Sequence, residues 1–549
     1  MQSNRRAFLG SVSAATAAAG VIGIKPLLQN KDAQVQAATG SNQRANQCAK
    51  LRRDSATAGL QSTPQNLQHP DNNDEELYPN KLGSYSKGLP HNDDGTVVAT
   101  AYAALVNALS SGRPGDFDAI PLGGTVALTN PQAGLAFDMQ GPDAHALVQP
   151  PAPAFASRTQ AAEISENYWM ALLRDIPFSQ YSGNVIANAA AADLTLYGND
   201  FNGPRNGSAV TTSTLFRGLT PGDLLGPYLS QFFYQDCNFG ANKIEQKIRT
   251  TAPGINYMTD FNTWLAVQRG TTQPPDVFDP VPRYIRNGRD LGQWVHIDVL
   301  FQAYFQAFLV LAGAGAPFDD GNPYNNNPSQ IGFGTFGGPH IATLLCEVAT
   351  RALKAVWFQK WFVHRRLRPE VQAERVHRTL FDAANYPVHP EILNSFSDNN
   401  RLKGFMPAGN ALLPMAFPEG SPTHPAYGAG HATVAGACVT ILKAWFKETT
   451  RLVDIGLAPV QPTDDGLSLL PYLGADAGDL TVGGELNKIA ANVALGRNTA
   501  GVHWRSDANA SLKLGEQIAI GILRDQRACY NEVFNGFSLT RFDGTTVTV

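Results

Sequence analysis

The sequence predicts a mainly α-helical protein, built as one large helical bundle domain with few short strands. Three observations carry that expectation. Apolar residues recur at helical spacing through most of the second half of the chain, strand-like alternation is scarce, and neither a fixed repeat nor an interior linker divides the 549 residues. At 43% hydrophobic residues the chain can bury a sizeable core. Only 16% are charged, against about 25% in an average soluble protein. The 42 basic and 46 acidic residues give a net charge of −4, which argues against a nucleic-acid binder and against a disordered acidic chain.

The elements follow in order. Arg5-Arg6-Ala7-Phe8-Leu9 precedes an Ala-rich apolar run over 11–24. This pattern reads as a twin-arginine export signal over residues 1–37, with a small-residue cleavage site near Val35-Gln36-Ala37. The expected destination is the periplasm or the extracellular space. The run is too short to span a bilayer, and no other stretch approaches 18 apolar residues, so no membrane span is expected in the mature protein. Residues 38–95 are rich in Asn, Gln, Asp, Ser and Pro and read as an extended or loop-rich arm. Helical patterns appear in 96–116 (Val97, Ala101, Leu105, Leu109) and 158–176, and 177–290 reads as loop-rich. From about 291 the pattern is plainly helical: 298–311 is apolar on nearly all faces, and 341–366, 431–446, 485–497 and 508–524 follow. The tail over 544–549 reads as one short strand. Residues 96–549 therefore form the helical domain, with its chemistry concentrated in about 291–530. Cys48, Cys237, Cys346, Cys438 and Cys529 show no metal-ligand spacing. Cys346 and Cys438 fall in apolar helical patterns and are expected to be buried and inert, and any disulfide pairing stays open.

Three segments concentrate unusual residues. They are Lys360 to Arg368-Pro369-Glu370, then Ser421-Pro422-Thr423-His424 to Ala429-Gly430-His431, then Arg497 to His503 and Asp507. Lys360 lies in an apolar helical pattern and needs an anion, because an unpaired buried charge is costly. Arg368 falls just past that helix, since Pro369 disfavours helix at the residue before it. The Gly-Ala-Gly turn before His431 lets backbone N–H groups converge at a helix N-terminus, which favours anions. His503 and Asp507 are four apart, so in a helical stretch the carboxylate can orient the imidazole. Taken singly, the Arg365-Arg366-Arg368 run reads as a solvated face, Gly-x-Gly-His as a turn, and His503 as a structural histidine. Taken together, three cations, two histidines and a helix N-terminus describe a pocket for a tetrahedral oxyanion without a divalent metal.

These segments, spanning Lys360 to Asp507, resemble the signature shared by the vanadium-dependent haloperoxidases and the type 2 phosphatidic acid phosphatases. Their flanks, including Trp357, the Ser-Pro-Thr-His-Pro run and Val295-His296-Ile297-Asp298, resemble the algal and cyanobacterial bromoperoxidases. The resemblance implies the helical bundle of that superfamily, a vanadate cofactor, and a haloperoxidase that oxidises bromide or iodide with hydrogen peroxide and halogenates organic small molecules. It implies His503 as the ligand of the metal and Lys360, Arg368, Gly430 and Arg497 as the cradle for the cofactor oxygens. It also implies His431 as the acid–base residue, with Asp298 orienting it, and Lys360 as an activator of peroxide. His424 and Trp357 would line the halide side, where fungal chloroperoxidases have Phe in place of His424. Homo-oligomers, dimers or larger, are expected. One departure stands out: the turn usually reads Ser-Gly-His, and here it reads Ala429-Gly430-His431. Two other readings stay open. One is an exported acid phosphatase with His503 as nucleophile, and the other is a non-catalytic exported helical protein that binds a partner or an oxyanion.

Overall fold

The structure, a computed structural model, describes residues 42–549. The twin-arginine segment expected over 1–37 lies outside the described residues. The chain divides into two compact units, Met1–Pro64 and Gln65–Val549.

In the first unit, Asn42–Ser62 is a helix, α1. This corrects the expected extended or loop-rich arm for those residues. The segment carries good helix formers (Ala, Gln, Lys, Arg, Leu) and a Lys50–Asp54 pair at i,i+4, 2.6 Å apart. None of its residues is buried, so it lacks the apolar periodicity that would announce a helix.

The second unit is mainly helical, as expected. Its longer helices are α2 (Ala99–Ser111), α3 (Arg158–Leu172), α4 (Val185–Leu196), α5 (Phe261–Gln268), α6 (Gly288–Ile297) and α7 (Gln302–Gly313). They are followed by α8 (Gly338–Phe358), α9 (Pro369–Phe381), α10 (Gly430–Trp445), α11 (Val482–Thr499) and α12 (Arg505–Arg527). Helices α4 and α5 and a short hairpin interrupt the stretch read as loop-rich. The strands β1 to β6 (Cys237–Phe239, Asn242–Ile244, Val460–Pro462, Leu469–Pro471, Ser538–Thr540, Thr546–Thr548) form three separate two-stranded antiparallel pairs in sequence order. The tail strand β6 pairs with β5, Leu539 opposite Val547. The five cysteines are free thiols; Cys438 is buried on α10, whereas Cys346 is only half-buried on α8.

The core falls into three apolar clusters. α7, α8, α10, α11 and α12 share one, α3, α4, α5 and α9 share another, and α2 packs on Trp361 in a third. α10 and α12 cross at glycines, where a Cβ on Gly436 would overlap the Leu512 carbonyl and one on Gly515 the Thr433 carbonyl. The helices therefore approach as backbones rather than through side chains. The chain runs from the first cluster at Val356 through the third at Trp361 to the second at Leu367. It passes again between the first and second from Leu495 through Val502 and Trp504 to Ala508. Two of the three chemistry-bearing segments thus lie where separately packed cores meet.

Candidate active site

α8 does not run on to Arg366 as its periodicity suggests. It gives way at Gln359 to a π-helical turn, Gln359–His364, which Arg365 ends with φ 34°. Such turns widen the helix locally and re-aim side chains. Lys360 sits in this turn, fully buried, and its ammonium donates to the carbonyls of Pro425 (2.8 Å) and Ala426 (3.1 Å). Burial and the neighbouring Arg368 hold its pKa well below the ordinary lysine range.

Arg368 is the extended N-cap of α9, and Pro369 starts the helix with the fixed φ suited to its first turn. Its guanidinium is fully buried. Nη1 donates to the Val502 carbonyl (2.6 Å) and to His503 Nε2 (3.0 Å), and Nη2 donates to His424 Nδ1 (2.9 Å). Arginine has no acceptor, so both contacted imidazole nitrogens must be unprotonated. His503 therefore carries its proton on Nδ1, which donates to Asp507 Oδ2 at 2.8 Å, and presents a lone pair on Nε2. His424 carries its proton on Nε2; the longer 3.2 Å approach of its Nδ1 to the Pro425 carbonyl is then not a hydrogen bond. Burial pushes both pKa values well below 6.5, and the positive charges of Arg368 and Lys360 add to that. Both rings are neutral at neutral pH.

Asp507 lies at the third position of α12 and also accepts from the Trp504 N–H (3.1 Å), which fixes the helix start. Its second oxygen accepts from Arg366 Nη1 (2.8 Å), and Arg366 in turn donates to Glu163 (2.8 Å) and Gln160 (2.6 Å) on α3. Arg366 and Arg368 are buried, and Arg365 is half-buried and paired with Glu75 at 2.5 Å. The run is therefore no solvated face, because three carboxylates from distant segments neutralise its first two members.

Arg497 on α11 donates to the Val295 carbonyl (2.8 Å) and lies 5.5 Å from the Phe417 ring centroid, while its buried Nε has no acceptor among the described residues. Burial lowers its pKa to about 10, against the pull of Asp298. Asp298 follows the last residue of α6 in extended conformation, and its Oδ1 lies 2.9 Å from His431 Nε2. His431 is the second residue of α10, and no partner for its Nδ1 occurs among the described residues. Gly430 opens α10 beneath Trp357, and a Cβ there would come within 3.3 Å of the indole. Trp357 donates to the Thr129 carbonyl (3.0 Å) and tilts against His424, with ring centroids 4.8 Å apart. Lys360 lies 5.7 Å from the same indole.

Every residue singled out from the sequence thus belongs to one constellation. Among the described residues no carboxylate lies within 4.0 Å of Lys360, Arg368 or Arg497. Buried cations without counter-ions are costly, so the pocket is built to take an anion. It also offers the neutral imidazole of His503, whose Nε2 lone pair accepts from Arg368 Nη1 until an anion takes over that donor, and the amides of a helix N-terminus. Among the described residues no group of three or more His, Cys, Asp or Glu side chains could hold a metal cation, and vanadate, itself an oxyanion, needs no such group. The residues present fit it once Arg368, whose N–H groups are held by the Val502 and His424 carbonyls and the two imidazoles, turns Nη1 from His503 Nε2 to an oxygen of the anion. Sequence reasoning missed Glu163, Gln149 and Ser511. Ser511, four residues after Asp507 on one face of α12, accepts from the Ala429 N–H (2.8 Å) and from Gln149 (3.2 Å).

Comparison with known proteins gives a consistent picture. Residues 348–532 match the family described as the VCPO second helical-bundle domain. A vanadium-dependent bromoperoxidase of Corallina pilulifera is 38% identical over 87% of this chain and 92% of its own length. One from Ascophyllum nodosum is 36% identical over 85% and 87%. Among solved structures, the homohexameric second vanadate-dependent bromoperoxidase of Ascophyllum nodosum superposes with a TM-score of 0.84 at 31% identity, covering 92% of this chain and 90% of that one.

Proposed function

The chain belongs to the vanadium-dependent bromoperoxidase family, and from that premise we propose that it binds vanadate in the pocket around His503 and oxidises bromide, or iodide, with hydrogen peroxide to hypohalous acid. The observation that carries this reading is that Lys360, Arg368 and Arg497, all buried and none within 4.0 Å of a carboxylate among the described residues, gather around the neutral imidazole of His503. His503 would ligate the cofactor through Nε2, which Arg368 would release as its guanidinium turns to a cofactor oxygen, and Lys360, Arg368, Arg497 and the Gly430 N–H would hold those oxygens. Bound vanadium(V) supplies Lewis acidity toward peroxide without changing its own oxidation state.

The chain's own groups supply the rest. Asp507 fixes the His503 tautomer, and the Arg366–Glu163 pair fixes Asp507. Asp298 orients His431 through Nε2, which leaves Nδ1 to take a proton from hydrogen peroxide and return it to a departing oxygen. Lys360 places a positive charge where the peroxide must be polarised. His424 offers a neutral N–H beside Trp357, suited to an approaching halide. Hypohalous acid then halogenates organic small molecules. The protein is further read as a homo-oligomer, dimeric or larger, to be measured by light scattering. The Arg5-Arg6 signal directs it through the twin-arginine route to the periplasm or beyond, to be checked by N-terminal sequencing of the exported protein.

The decisive test reconstitutes metal-free protein with orthovanadate and follows peroxide-dependent bromination of a phenol dye. The expected result is activity that requires vanadate and is lost in His503→Ala with the fold retained. Hydrolysis of p-nitrophenyl phosphate without any bromination would overturn the reading in favour of a phosphatase.

A further inference from the structure

The turn that opens α10 carries alanine where the signature that the chain resembles has serine, and the structure shows what holds that turn. Ala429 is 1% exposed and caps α10 with no side-chain hydrogen bond of its own. Its carbonyl accepts from Thr433 twice, from the backbone N–H (3.0 Å) and from Oγ1 (2.8 Å). Its N–H points the other way and donates to Ser511 Oγ at 2.8 Å. Ser511 is fully buried, and its hydroxyl also accepts from Gln149 Nε2 at 3.2 Å. Gln149 is itself 1% exposed, and its Oε1 has no partner. Gly428 makes room for this arrangement, since a Cβ there would sit 2.5 Å from Ser511 Oγ and 2.6 Å from Gln149 Oε1.

We propose that Ser511, braced by Gln149, is the positioning residue that aims the Gly430 N–H into the oxyanion pocket. Peptide units are planar and trans, so N–H and C=O of one unit point in opposite directions. Thr433 draws the Ala429 carbonyl into the helix, and the Gly430 N–H of the same unit therefore points out of the helix N-terminus. Ser511 pins the preceding unit, between Gly428 and Ala429. With both units held, the rotation at Ala429 that would swing the Gly430 N–H away is blocked. A serine at position 429 would contact the oxyanion itself; Ser511 instead acts from behind, through the backbone. This assignment rests on the vanadate reading of the pocket.

The test uses the full-length protein stripped of metal. Orthovanadate is titrated by calorimetry into wild type, Ser511→Ala, Ser511→Thr and Gln149→Leu, and the melting temperature of each unloaded protein is recorded. The expected result is a vanadate Kd weakened roughly tenfold in Ser511→Ala, restored toward wild type in Ser511→Thr, and weakened less in Gln149→Leu, with melting temperatures close together. Gln149→Leu keeps the question open to refutation if Ser511→Ala does not fold. Wild-type affinity in a folded Ser511→Ala, or in Gln149→Leu should that alone fold, would overturn the positioning role. Absence of vanadate binding by wild type would instead sink the cofactor reading, and this assignment with it.

Discussion

At the scale of single residues, two side chains make sharp predictions. Ala429 lacks the hydroxyl usual at its place in the signature. Ala429→Ser should tighten vanadate binding by about 1.5–3 kcal/mol, the range for a hydrogen bond to a charged acceptor, which is roughly 10- to 150-fold in Kd; calorimetric titration of unloaded protein measures it. The second residue is His364, which is buried edge-to-face against Tyr427 with neither ring nitrogen partnered among the described residues. Burial, with help from Arg366, pushes its pKa down to about 3 from 6.5. The folded state therefore stays unprotonated while the unfolded chain takes a proton near pH 6.5. Stability is lost as pH falls from there toward 3, at about 1.4 kcal/mol per pH unit for this group. His364→Phe keeps the ring packing and removes that dependence. Its advantage in urea denaturation should be small or positive at pH 7 and should widen steadily down to pH 4.

At the scale of elements, the pocket is set by where helices start and how closely they cross. His431 heads α10, and Asp507 holds His503 against the head of α12. The two helices meet at Gly436 and Gly515, each facing a backbone carbonyl of the other helix. A methyl at Gly515 must push them apart. Gly515→Ala should cost about 1–3 kcal/mol, as overpacking does, and should also weaken vanadate binding, because the same shift separates the α10 N-terminus from His503. Thermal melting and titration together check it; loss of stability with unchanged affinity would show that the two helix heads are set independently of the crossing.

How much was legible from the sequence also divides by element. The helices with an apolar face announced themselves, and Lys360, Arg368, His431, Arg497 and His503 stood out because such residue types are costly in apolar surroundings unless they do chemistry. Helix α1 did not announce itself, since it buries nothing and has no periodicity to read. The π-helical turn did not either: the apolar spacing runs straight through it, and only tertiary packing decides that Arg365 turns left-handed. Glu163, Gln149 and Ser511 are ordinary residues in unremarked stretches, and the fold alone brings them to the site.

At the scale of the whole molecule, Arg366 ties distant parts of the chain together. It is 0% exposed in its side chain and bridges Asp507 to Glu163. Arg366→Met would leave those two carboxylates buried without their cation, a loss of about 3–5 kcal/mol by the usual cost of breaking a buried pair. Urea denaturation should show that loss, and vanadate affinity should fall with it because Asp507 would no longer be held. A drop in stability alone would mean that Asp507 holds His503 without help from α3.

Glu163 precedes Arg366 by 203 positions, and Asp298 and Gln149 also come before residue 348, where the recognised helical-bundle match begins. The pocket is therefore not a detachable cassette. A graft of 348–532 into another scaffold would carry His503 and the three cations but leave behind Glu163, Asp298 and Gln149, which hold the groups around them. An engineer who wants this chemistry elsewhere must transplant α3, the end of α6 and the loop that carries Gln149 as well. For the same reason, Glu163→Gln, far from the signature in sequence, should weaken oxyanion binding through Arg366 and Asp507, as orthovanadate titration of unloaded protein measures.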